Sequence, residues 1–185
     1  MMMGVLQKNK TFFIFLGKFV LSYLLLSFLY WLFLNQYDAA KLEPDGMTRI
    51  VAEQTRDLAN FLGGDTRIRK RNSEASYKFY INDAHIVRIV EGCNAVSVMI
   101  LFAAFIVAFS TTFKRTSLYI LAGILIIHIL NIARIIFIAY AVYYYRQYSR
   151  VLHDVVFPLF IYGVVFTLWI MWVIKFSGNA KSVKA

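Results

Sequence analysis

Residues 117–144, SLYILAGILIIHILNIARIIFIAYAVYY, contain no Asp, Glu, Lys or Pro and one arginine, Arg134. The run exceeds the roughly 18–20 residues that cross a ~30 Å hydrocarbon layer. In lipid every backbone amide must be bonded within its own segment, so such a run is a helix. Three more apolar runs flank it, at 12–34, 95–113 and 155–176. The fold class expected is therefore all-α integral membrane, a bundle of about four transmembrane helices. The single membrane domain covers 1–185, and the extracytoplasmic segment covers 35–94.

Composition excludes a soluble reading. Of 185 residues 60% are hydrophobic, 17% aromatic and only 16% charged, with mean hydropathy +0.62. A soluble chain of this length would clothe one core in charge, whereas here the charges are bunched between apolar runs. The first run is longer than the ~7–15 residue core of a secretory signal. Asp38-Ala39-Ala40 is also a poor cleavage site, so an uncleaved anchor is expected.

The net charge of +10 reads as topology. Lys8 and Lys10 precede the first run, Lys114 and Arg115 fill the link between the second and third, and Lys175, Lys181 and Lys184 follow the fourth. With both termini cytoplasmic, all seven fall on the cytoplasmic side, as the positive-inside rule requires. Arg146 and Arg150 then lie in the short outer loop. No nucleic-acid partner is expected, since the cations form no patch of their own; the lipid bilayer is the partner that composition names.

The outer segment has its own pattern. Pro44-Asp45-Gly46 opens a stretch in which Met47, Ile50, Val51, Leu58, Phe61 and Leu62 recur at helical spacing before Gly63-Gly64. That predicts an amphipathic helix on the membrane surface or over the bundle. Residues 67–71 read as a basic turn or loop. Tyr77–Ile81 and His85–Val90, split by Asn82-Asp83, predict a short β-hairpin-like segment.

Three residues do not belong in lipid or at its edge without a reason. Cys93, the one cysteine, stands in Glu91-Gly92-Cys93-Asn94 where the second run begins. Arg134 lies inside the third run, where an arginine costs roughly 2.5–3.5 kcal/mol near the bilayer centre unless it faces protein or water. His153, beside Asp154, opens the fourth. Alternating helix direction brings all three to the outer face. Asn131 shares a helix face with Arg134 three residues on. His128, deeper in the same run, predicts a hydrogen bond between helices.

A thiol at a helix N-terminus is favoured as thiolate by the helix dipole, although an ionised Glu91 nearby would oppose it. An imidazole beside it supplies a base; His153 and His85 are both candidates. Attack on an amide needs a thiolate, a proton for the leaving amine and stabilisation of the oxyanion, and Cys93, His153 and Arg134 supply those functions. No zinc helix, nucleophile elbow or phosphate loop is present in the sequence, and no metal or other cofactor is called for.

Glu91-Gly92-Cys93-Asn94-Ala95-Val96-Ser97, Asn131-Ile132-Ala133-Arg134 and His153-Asp154, in that order and on successive runs, resemble the exosortase/archaeosortase family, and most of all its short F-type exosortases. Many relatives carry a small residue and glycine after the cysteine, where Asn94-Ala95 stands here, and about eight spans. The resemblance implies a membrane-embedded cysteine transpeptidase that cleaves C-terminal sorting signals: a short motif, a transmembrane helix and a basic tail. The new C-terminus would pass to a cell-envelope acceptor through a thioester. It implies Cys93 as nucleophile, His153 as acid/base, and Arg134 as oxyanion stabiliser or thiolate orienter, in a bacterial inner membrane with the site at the outer face. Asn94, Asn131, Glu91 and Asp154 are the supporting or substrate-binding candidates. The rival expectation is a non-enzymatic membrane assembly or transport subunit, in which Arg134 and Asn131 only bind a neighbouring helix.

Overall fold

The computed structural model describes residues 9–37 and 42–177; the side chains of His153, Asp154 and Ser177 lie outside what it describes. Four apolar helices form the bundle: α1 (Lys10–Leu34), α3 (Val96–Ala108), α4 (Phe113–Tyr144) and α5 (Phe157–Trp172). Over one end of it sits a cap made of helix α2 (Gly46–Phe61) and strands β1 (Thr66–Lys70), β2 (Tyr77–Ile81) and β3 (Ala84–Ile89).

Among the described residues, three helices are long and apolar enough to cross a membrane: Lys10–Leu34, Phe113–Tyr144 and Phe157–Phe176. The expected span at 95–113 is instead the 13-residue α3, about 20 Å long at 1.5 Å per residue. Its N-terminal end is taken up by a 3-10 turn, Glu91–Cys93, and by Ala95 in the left-handed region (φ 61). At the other end it stops at Phe109, and Ser110 to Thr112 connect it to α4. Helix α5 is flanked by π-helical turns, Leu152–Val156 and Val173–Ser177.

Helix α4 is the spine. Its lower half packs Ile127 into the bundle core with Phe102, Ile106, Ile161 and Val165. Its upper half packs Ile135 and Ala139 into the cap core with Val51, Ala52, Phe79 and Ile89. One helix thus joins two cores, and residues 128–134 form the junction. At the end away from the cap, Trp172 Nε1 donates to the Phe109 carbonyl (3.3 Å), and Phe105 stacks on Trp169 at 4.3 Å. Helix direction places Lys10, Lys114, Arg115 and Lys175 all at that end.

Sequence chemistry explains the cap with two corrections. Asp45 caps α2 by accepting the Thr48 N–H at 2.9 Å, and Gly63 (φ 92) ends it in a conformation that a side chain would strain. The buried face of α2 is not the large apolar set but the small one: Thr48, Val51, Ala52, Thr55 and Ala59. Close packing on α4 and β1 admits only small groups there, so Ile50, Leu58, Phe61 and Leu62 are left exposed. The second correction is β1, where a basic loop was expected. Thr66 is buried while Arg67, Arg69 and Lys70 point outward, a charged edge strand of the kind that resists further pairing. The sheet is an antiparallel meander in the order β1-β2-β3. Asn82 and Asp83, both at positive φ, form its two-residue turn between β2 and β3.

Small residues in the bundle serve its own packing. A Cβ on Gly123 would overlap the ring of Phe102, which is fully buried, and Ser22 of α1 reaches the Ala104 carbonyl at 3.5 Å. Gly123→Ala is expected to destabilise the protein by roughly 1–3 kcal/mol, the usual cost of overpacking; thermal or denaturant unfolding in detergent measures it.

Candidate active site

The junction between the two cores is polar, and each of its groups has a physical reason to be there. Asn131 on α4 is fully buried, and its Nδ2 donates to the Cys93 carbonyl at 2.8 Å. The amide of Asn94, also buried, donates to the Tyr30 hydroxyl (3.1 Å) and to Thr48 Oγ1 (3.3 Å), and its oxygen accepts the Val96 N–H at 2.9 Å. The Thr48 hydroxyl in turn donates to Asp45. His128 pairs with Gln54 at 2.7 Å, tying α4 to α2 as a bond between helices. Segment Cys93-Asn94 is thereby held by α1, α2 and α4 at once.

This holding sets the thiol beside a cavity of about 990 Å³. Cys93 and Arg134 both line it, and both are half-buried. Arg134 lies three residues, nearly one helical turn, beyond the asparagine that grips Cys93. Its Nε is buried and has no hydrogen-bond partner among the described residues. Buried donors are nearly always paired, so this one is an exception that calls for an explanation. Among the described residues Glu74 is the one carboxylate lining the cavity, and it is engaged by Arg71 (2.8 Å) and Arg88 (3.0 Å).

Of the residues singled out from sequence, Cys93 and Arg134 share the cavity. The backbone of His153 and Asp154 runs in the π-helical turn between Arg150 and Phe157, both of which line it, while their side chains fall outside the described part. His85 lines the cavity from β3 and is exposed. Burial, then Lys78 and Arg71, lower its pKa from 6.5. Asn94 and Asn131 hold the segment rather than facing the cavity; exposed Glu91 lies against the Tyr30 hydroxyl. Cys93 does not cap α3: Asn94 and left-handed Ala95 intervene, and Asn94 takes the first N–H of that helix. The helix start expected at Cys93 lies two residues further on, at Ala95. Sequence reading missed Arg88, Arg146 and Arg150 as cavity residues. Arg146 and Arg150 follow Arg134 within sixteen residues, and sequence alone reads them as outer-loop charge; Arg88 carries no such signal.

Two outcomes follow. Asn131→Ala removes the bond to the Cys93 carbonyl and should cost roughly 1–3 kcal/mol, the price of a buried unpaired group, read by unfolding in detergent. The lowered pKa of His85 means that the folded chain binds fewer protons than the unfolded one below pH 6.5. Stability should therefore fall as pH drops through that range, and His85→Gln should make the acid limb of the stability curve shallower.

A family model described as transmembrane exosortase matches residues 9–176. No curated protein and no solved structure matches the chain.

Proposed function

We propose, on the premise that this chain belongs to the transmembrane exosortase family, that it is a cysteine transpeptidase of the bacterial inner membrane acting on C-terminal sorting signals. The observation that carries the reading is the Asn131 grip on Cys93, which supports a thiol and the Arg134 guanidinium facing one cavity. A subunit that used Arg134 only to bind a neighbouring helix would have no need of a cavity between it and a cysteine.

In the proposed reaction an imidazole, His153 by its place in the chain or His85 on β3, takes the Cys93 proton. The thiolate adds to the scissile carbonyl, and the oxyanion that forms accepts from Arg134. Collapse breaks the C–N bond, and the same imidazole returns its proton to the leaving amine, which departs with the substrate's membrane helix. An acceptor amine or water then opens the thioester. Both termini are cytoplasmic in this scheme, consistent with Lys10, Lys114, Arg115 and Lys175 gathering at the end away from the cap. The site then faces the cell exterior, at the depth where a sorting signal leaves the bilayer.

The test is processing of a tagged exported protein ending in motif, apolar helix and basic tail. Cys93→Ala should abolish it, and Arg134→Ala should slow it about 100- to 1000-fold, the usual loss on removing an oxyanion donor. Full processing by either variant would sink the proposal.

A further inference from the structure

Strand β3 is an edge of the sheet, and it runs along the cavity. Residues His85 to Val90 all line the cavity, and three residues later the same chain reaches Cys93. On its inner side β3 is paired with β2 from Tyr77↔Ile89 to Ile81↔Ala84. On its outer side, among the described residues, it makes no backbone hydrogen bond to any other element. The opposite edge, β1, is blunted by Arg67, Arg69 and Lys70. Exposed strand edges are templates for further pairing, and proteins ordinarily blunt or cover them. This sheet charges one edge and opens the other onto its cavity.

We infer that β3 is the substrate-recognition element: the stretch of substrate preceding the scissile bond adds to it as a fourth strand. The inference rests on the peptidase reading above and specifies how the peptide is held. Strand addition obtains affinity from main-chain hydrogen bonds, which every peptide offers, and leaves alternate side chains to confer selectivity. A partner strand sits about 4.8 Å from its neighbour, and the cavity provides the width. Besides β3 it is lined by Ile138 and Val142 of α4 and by Arg146 and Arg150. No carboxylate pairs with those two arginines among the described residues, so they repel cationic side chains and can donate to carbonyl oxygens on the free edge of the added strand.

Direction follows from chain order. Strand β3 leads through Cys93 into α3 and the bundle, and a sorting signal likewise runs from its exported body into its membrane helix. The added strand therefore lies parallel to β3. The part held is the part that becomes the thioester, so the acyl-enzyme stays docked after the membrane helix has left.

The experiment uses the purified full-length protein in detergent and acetylated tetrapeptidyl vinyl sulfones of several uncharged sequences, with intact mass reporting modification of Cys93. Each probe is compared with analogues N-methylated at one amide at a time. Strand addition predicts alternation: methylation at every second amide slows labelling about tenfold, the scale of one lost hydrogen bond with its steric clash, and methylation at the amides between leaves it unchanged. Equal labelling by all analogues, or peptidyl probes no faster than methyl vinyl sulfone, overturns the inference while iodoacetamide still alkylates Cys93. A thiol inert to iodoacetamide as well would instead remove the peptidase reading, and this inference with it.

Discussion

The hydrogen bond from the Asn131 amide to the Cys93 carbonyl is the constraint on which the rest of the site depends. Without it, the segment between cap and bundle would be joined to α4 by apolar contact alone, which fixes position loosely. With it, a backbone group of the cysteine is tied to the helix that carries the arginine. The Asn94 hub makes the complementary tie to α1 and α2. Buried amides of this kind specify one arrangement because any other leaves them unpaired in a medium of low dielectric.

That arrangement lies where it does because α4 belongs to two cores of different character. Below residue 128 its neighbours are the aromatic and branched side chains of α3 and α5, and above residue 134 they are the small face of α2 and the inner face of the sheet. At the junction the amides of Asn131 and Asn94 draw partners from other elements, the Cys93 carbonyl for one and Thr48 and Tyr30 for the other. The candidate site thus sits at the seam between the cap and the apolar bundle, and on the proposed function a substrate of mixed character would present its own boundary there.

Much of this was legible in the sequence, for definite reasons. Helices α1, α4 and α5 announce themselves by unbroken apolar length, and strands β2 and β3 by alternation around Asn82-Asp83. Counting crossings put Cys93 and Arg134 at the same end of the bundle, and both line one cavity. Strand β1 was not legible because Thr66 and Ile68 are its sole inward residues, and a charged edge looks like a loop. The extent of α3 was hidden because residues 109–113 remain apolar or neutral after the helix has ended. The basic cavity wall escaped because a cation outside a span obeys topology and chemistry at once, and only tertiary contact tells which.

The brevity of α3 has a consequence for the surrounding lipid. A rod of about 20 Å, set among neighbours long enough to cross some 30 Å of hydrocarbon, cannot match the bilayer on its own. Mismatch of this sort is relieved by locally thinning the leaflet beside the short element. In the proposed orientation, thinning on the cap side would bring water and headgroups toward Cys93, which precedes α3. On the proposed function, a scissile bond close to its anchor would then be reachable without being hauled out of the bilayer.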